Sequence, residues 1–205
     1  KAWSALTDVW ASKWNDRAFV SLRNVGIDHD DLRMSVLVQP VVDADYAFVI
    51  HTVNPSSKDQ TELYAEVVMG LGEALVGNYP GRALSFSVKK TSGETPRILG
   101  FPSKSVMLKI PRQTLIFRSD SNGEDLEGYA GAGLYESVPM DEEETIHADY
   151  ATDPLVWDEG FRTELLSKIA EAGVAIEAAL DGQPQDIEGV VKDGEIYVVQ
   201  TRPQV

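Results

Sequence analysis

Asp193-Gly194 stands between two β-rich runs, Val190-Val191 and Ile196-Tyr197-Val198-Val199, and an Asp-Gly pair so placed is a strong hairpin signal. The register of that hairpin decides what its polar neighbours can do. A two-residue loop pairs Glu188 with Val199 and turns Gln200 to the opposite face, because side chains alternate along a strand. A three-residue loop with Gly194 in the left-handed conformation puts Glu188 directly opposite Gln200, with Asp186 and Arg202 flanking them on the same face. The second register offers hard oxygen donors suited to Mg²⁺ and, two residues away, a planar guanidinium that can fork onto a phosphate. The plainer alternative is a surface hairpin whose charges are solvated, and spacing leaves both open.

At 205 residues and 43% hydrophobic, the chain can bury one real core, divisible into two lobes. No apolar run approaches the roughly 20 residues of a membrane helix, so no membrane partner is expected. The chain opens at Lys1 without an initiator Met, an apolar leader or a Ser/Arg-rich transit stretch, and a fragment or processed form is expected. Zero cysteines exclude disulfides, thiolate metal sites and cysteine nucleophiles, which fits a reducing compartment. The formal net charge of −15 argues against a nucleic-acid surface, which needs clustered Lys and Arg. An acidic chain that binds a triphosphate must focus its few cations or bring in metal. A solvated acidic surface accounts for most of the 33 Asp and Glu residues.

The pattern along the chain predicts an α/β fold without repeats, a mostly antiparallel sheet flanked by helices. Trp3, Leu6, Trp10, Trp14 and Ala18 predict a helix from residue 2 to about 20, its aromatic stripe turned into the core rather than toward a sugar. Met34 to Val42 and Tyr46 to Val53 read as strands joined by the Asp43-Ala44-Asp45 turn. Glu62 to Met69 reads as a helix ending at Gly70-Leu71-Gly72-Glu73, where glycines allow left-handed turns or close approach to a ligand. Residues 80 to 112 read as strands and loops, with a phosphate-steering role for Lys89-Lys90 as the only chemistry. Arg118 follows the apolar run Thr114 to Phe117 and is expected at a strand end before a glycine-rich loop. There it can hold polyphosphate, or form a salt bridge to Glu124 or Asp125. Residues 141 to 149 are acidic and expected to be exposed. Residues 159 to about 180 predict a helix ending near Asp181-Gly182 and packed on the sheet that carries the last hairpin.

Gln185-Asp186-Ile187-Glu188 followed by Gln200-Thr201-Arg202-Pro203 resembles the end of the ATP-binding domain shared by pyruvate phosphate dikinase, phosphoenolpyruvate synthase and the α-glucan, water dikinases. Val9-Trp10-Ala11-Ser12, Val36-Leu37-Val38-Gln39 and the run from Ala65 to Gly77 resemble other blocks of that superfamily. The run from Phe117 to Tyr135 is similar to the plant-type glucan, water dikinases in particular. So is the block order, in which the Arg-Ser block follows the Val-Trp-Ala-Ser block instead of preceding it.

The resemblance implies the carboxyl-terminal part of an ATP-grasp-like nucleotide-binding domain, with an upstream lobe and a phosphohistidine domain outside this chain. It implies ATP and Mg²⁺, with Glu188 and Gln200 as metal ligands and Arg118 and Arg202 on the phosphates. Gln39 to Val42 would pass the adenine. Pro40 has no N–H to donate, which leaves Val41 as the better main-chain contact. Glu73 would approach the ribose hydroxyls. The β-phosphate would pass through a histidine on a mobile domain to starch or another α-glucan, while water takes the γ-phosphate, in a plastid. Such transfers depend mostly on positioning and charge neutralisation. None of His29, His51 and His147 has the small-residue setting of the family's phosphohistidine, and His51 reads as a satisfied core or surface histidine. A pyruvate-type dikinase domain, a non-catalytic nucleotide module and an acidic interaction domain are the alternatives.

Overall fold

The computed structural model describes residues 1–77, 79–109, 114–123 and 133–204. In chain order the elements are α1 (Ala2–Ala11), α2 (Asp16–Asn24), β1 (Met34–Pro40), β2 (Tyr46–His51), β3 (Glu62–Met69), α3 (Glu73–Val76), β4 (Leu84–Lys89), β5 (Arg97–Gly100), β6 (Val106–Lys109), β7 (Leu115–Ser121), β8 (Val138–Pro139), β9 (Glu144–His147), α4 (Pro154–Trp157), α5 (Glu159–Ala179), β10 (Gln185–Lys192) and β11 (Glu195–Pro203). All described strand pairs are antiparallel, so the expected mixed fold with a mostly antiparallel sheet is what forms. No described helix is long and apolar enough to cross a membrane. The chain divides into two compact units, one from residues 1–42, 110–143 and 205, the other from 43–109 and 144–204.

In the first unit β1, β7 and β8 form a three-stranded sheet, with Ala5 and Val9 of α1 packed on Phe117 of β7. The single helix expected over residues 2 to 20 is broken by a 3₁₀ turn at Ser12–Trp14 and by extended Asn15 (ψ 142°), which leads into α2 at Asp16. Its aromatic stripe is not core. Trp3, Trp10 and Trp14 are 71%, 43% and 61% exposed, while Ala5, Val9, Ala18 and Leu22 are buried. Ala5 and Val9 on α1, and Ala18 and Leu22 on α2, give each helix a slimmer buried face than a row of indoles would. Arg118 lies inside β7, opposite Leu37 and three residues before the end of the strand, which corrects its placement at a strand end. Residues 124–132, with the Glu124 and Asp125 alternatives and most of the glycine-rich loop, lie outside the described residues.

The second unit is built on a six-stranded sheet ordered β11-β10-β2-β3-β4-β5. Its core-facing side chains include Phe48, Ile50, Leu63, Ala65, Phe86 and Ile187, against Leu165, Leu166 and Ile169 of α5. Each large apolar side chain fully buried there contributes about 1.5–3 kcal/mol. Asp158 caps α5 by accepting from the Phe161 N–H, and the helix gives way at Leu180 to left-handed Asp181 and Gly182, as expected from the sequence. Residues 62–69 are a strand, not the expected helix. Leu63, Ala65 and Val67 are buried on one face, and Glu62, Tyr64 and Glu66 are half-buried on the other. The Leu63–Val67 spacing fits a helix equally well, and pairing with β2 and β4 decides it. The strands on either side of Asp43-Ala44-Asp45 enter different sheets, β1 pairing with β7 and β2 with β10 and β3.

Candidate nucleotide site

The last hairpin closes with Lys192 opposite Glu195, and left-handed Asp193 (φ 51°) and Gly194 (φ 79°) form a two-residue loop of the kind that matches strand twist. The ladder runs regularly to Gly189 opposite Val198, then shifts by one residue. Val199 is the extra residue of this β-bulge. Beyond it Glu188 stands opposite Gln200, and Asp186 opposite Arg202. The metal-compatible register therefore forms, but through a two-residue turn and a bulge rather than a three-residue loop.

These four residues line one cavity of about 240 Å³ together with Val49, His51, Glu66, Leu75 and Val76. Register explains the company. Asp186 is opposite His51 and Glu188 opposite Val49 across β10 and β2, and Glu66 is opposite Val49 across β2 and β3, so all share the face turned away from α5. His51 Nδ1 is 2.6 Å from Asp186 Oδ1, and Arg202 Nε is 3.7 Å from Asp186 Oδ2. The His51 ring stacks on Tyr64, with centroids 6.1 Å apart. The Tyr64 hydroxyl donates to Glu66 Oε1 at 2.6 Å, and burial, then Glu66, pushes the phenol up to about 12.

Three carboxylates against one guanidinium make a face that favours a cation or a metal-bearing anion over a bare polyphosphate. Among the described residues no three His, Cys, Asp or Glu side chains are grouped to hold a metal by themselves. A carboxylate facing an amide oxygen fits Mg²⁺, which is commonly held by one or two carboxylates with waters and substrate phosphates completing its shell.

The remaining expected site residues are distributed as follows. Glu73 opens α3 and is exposed, and Leu75 and Val76 of the same helix line the cavity. Gln39 lies in β1 opposite Ile116. The Val41 N–H donates to the Thr114 carbonyl at 3.0 Å, so that donor is engaged within the first unit. Lys89 is paired with Asp59 and Lys90 with Glu177, which leaves no support for phosphate steering. His51, Tyr64 and Glu66 carried no site assignment in the sequence. The alternation Val49-Ile50-His51 gives their face, but Asp186, the partner of His51, is 135 residues away.

Residues 1–95 match the family described as pyruvate phosphate dikinase, AMP/ATP-binding domain. Over 205 residues, 100% of this chain, it is 66% identical to the chloroplastic alpha-glucan water dikinase of Solanum tuberosum and 65% identical to alpha-glucan water dikinase 1 of Arabidopsis thaliana, also chloroplastic. It spans 14% of each of those proteins. The phosphoenolpyruvate synthase of Pyrococcus furiosus is 26% identical over 196 residues, 95% of this chain and 21% of that protein. The similarity to the α-glucan water dikinases runs along the whole chain, and that to the phosphoenolpyruvate synthase along nearly all of it.

Proposed function

We propose that this chain is the carboxyl-terminal part of an ATP-grasp-like nucleotide-binding domain and binds Mg²⁺-ATP on behalf of an α-glucan (starch) dikinase. In the longer protein, the β-phosphate of ATP passes through a phosphohistidine on a separate mobile domain to glucosyl residues, and the γ-phosphate passes to water. Plastid localisation follows from relatives named as chloroplastic. The observation that supports the reading best is the face on which Glu188 stands opposite Gln200 and Asp186 opposite Arg202.

On that face the Glu188 carboxylate and the Gln200 amide oxygen would hold Mg²⁺, which when bound neutralises phosphate charge and orients the triphosphate. Arg202 supplies a guanidinium whose planar fork matches phosphate oxygens. Val49, Leu75 and Val76 give the cavity apolar walls, and lower local polarity strengthens each charge interaction. Glu73 as a ribose ligand, Arg118 as a phosphate ligand, and Gln39 and Val41 as adenine neighbours rest on resemblance alone. With the Val41 N–H given to Thr114, a base contact at that residue falls to its carbonyl.

Calorimetric titration with a non-hydrolysable ATP analogue, with and without Mg²⁺, tests the proposal. The expected result is metal-dependent binding that Glu188→Ala abolishes and Arg202→Ala weakens. Binding indifferent to the metal and to both substitutions would overturn it.

A further inference from the structure

Two transverse rows of the six-stranded sheet line the cavity. In one, Asp186 stands opposite His51 and His51 opposite Tyr64; in the other, Glu188 stands opposite Val49 and Val49 opposite Glu66. Glu66 is half-buried, and Val49, its neighbour across the ladder, has no polar side-chain atom to offer it. Its hydrogen bond comes along its own strand, from the Tyr64 hydroxyl to Oε1 at 2.6 Å. Tyr64 is in turn steadied by the His51 ring, stacked at 6.1 Å with 27° between the planes, and His51 by Asp186. A phenol is neutral, so it fixes the direction of a carboxylate without supplying a counter-charge. Glu66, Asp186 and Glu188 all line the cavity, yet among the described residues no three such side chains are grouped to hold a metal together. Glu66 is therefore not placed as a third direct ligand beside Glu188. Mg²⁺ held by few protein oxygens keeps several waters, and outer-shell partners of a metal commonly set its affinity.

We propose that Glu66 is a positioning residue of the metal site: oriented by the Tyr64 phenol, its carboxylate accepts hydrogen bonds from water carried by the Mg²⁺ that Glu188 and Gln200 would hold. The proposal rests on the nucleotide reading above and adds to it two residues that touch neither the ion nor the triphosphate. It gives Glu66 a role distinct from that of Glu188, and it gives Tyr64 the task of aiming a carboxylate.

The test titrates Mg²⁺, and Mn²⁺ as its paramagnetic stand-in, into the chain with a non-hydrolysable ATP analogue. It compares the unsubstituted protein with Glu66→Gln, Tyr64→Phe and the double variant. Glu66→Gln keeps the size of the side chain and an oxygen for the phenol, so it leaves the fold in place. It is expected to weaken metal affinity about ten- to a hundredfold, the usual cost of losing an outer-shell partner, and Tyr64→Phe to weaken it about tenfold. The double variant is expected to lose no more than Glu66→Gln alone, because both changes act on one interaction. AMP affinity should be unchanged in all three. Magnetic resonance of the bound Mn²⁺ in oxygen-17-enriched water should count the same number of metal-bound waters with and without the Glu66 carboxylate. One more water in Glu66→Gln would overturn the proposal by making Glu66 a direct ligand. Equal losses for the metal and for AMP, or additive losses in the double variant, would overturn it by showing a merely structural role. Unaltered metal affinity in Glu66→Gln would overturn it while leaving Mg²⁺-ATP binding intact. Failure of the unsubstituted chain to bind the analogue would overturn the nucleotide reading itself, and the proposal with it.

Discussion

Glu188 stands directly opposite Gln200 because the ladder shifts by one residue at Val199, between Gly189 opposite Val198 and Glu188 opposite Gln200. The tight Asp193-Gly194 turn alone would have carried the ladder on to Glu188 opposite Val199, with Gln200 on the α5 side of the sheet. One extra residue rephases the strand, so that Gln200 and Arg202 face the cavity.

The rephasing occurs beside Gly189, where an added Cβ would sit 2.2 Å from the Phe48 ring and 2.8 Å from the Tyr197 carbonyl oxygen. Gly189→Ala must therefore move either a buried aromatic ring or the backbone of the partner strand. Overpacking of this kind costs about 1–3 kcal/mol, which for a chain of this length lowers the melting midpoint by several degrees. Thermal unfolding followed by circular dichroism checks this, and a midpoint equal to that of the unsubstituted chain would show that the hairpin absorbs the methyl without shifting.

Arg202→Lys keeps the charge and removes the planar fork. It is expected to lower affinity for the Mg²⁺-bound ATP analogue by about tenfold or more and to leave AMP affinity unchanged. Competition binding with the two nucleotides measures the difference, and equal losses would mean that Arg202 acts on the shape of the cavity and not on phosphate.

Lys90 and Glu177 join the end of β4 to α5 at 2.7 Å, with side chains only 17% and 12% exposed. Lys90→Met removes the cation and leaves a half-buried carboxylate without it, an expected loss of about 1–3 kcal/mol. Urea unfolding should show a lower midpoint with an unchanged slope, while nucleotide affinity stays as it was. A fall in affinity instead would restore the phosphate-steering role that the pairing argues against.

Tyr64 holds its proton to about 12 in the fold through burial and Glu66, against an ordinary phenol near 10. Between pH 10 and 12 the unfolded chain loses that proton and the folded chain keeps it. The stability linked to Tyr64 is therefore complete below pH 10 and is lost as pH rises through 12. Tyr46 and Tyr150 are shifted upward as well, mainly by burial. Chemical unfolding at pH 9, 10 and 11 should show declining stability, and Tyr64→Phe should flatten part of the decline. An unaltered slope in that variant would assign the whole effect to the other two phenols.

Local signals carried the sequence reading where structure is locally determined. Asp193-Gly194 announced the hairpin, and the apolar spacing from Phe161 to Leu180 announced α5, because turn chemistry and helical period are written in adjacent residues. The bulge was not legible, since Val199 is an ordinary β-branched residue with nothing to mark it as the place where the register shifts. Residues 62–69 satisfied both periods and were settled by two neighbouring strands. The tryptophans had the right helical spacing but the wrong face, because Ala5 and Val9 take the buried one. Of the site, Glu188, Gln200, Asp186 and Arg202 could be found in one short stretch. His51 and Glu66 reach it only through the ladders of β2 and β3, which bring together parts of the chain that no local pattern connects.

The chain passes from one unit to the other after residues 42, 109 and 143, so neither unit is a continuous piece of sequence. The stretch that matches the pyruvate phosphate dikinase family stops at residue 95, inside the second unit and ahead of both β5 and β10. A protein trimmed to that boundary would keep β3 beside β2 but lose β10 from its other side, uncovering a row of unsatisfied backbone groups, an invitation to aggregate. The stretch recognised by family likeness ends before the strands that complete the sheet, and the closing hairpin that lines the cavity also covers the side of β2 that such trimming would lay bare.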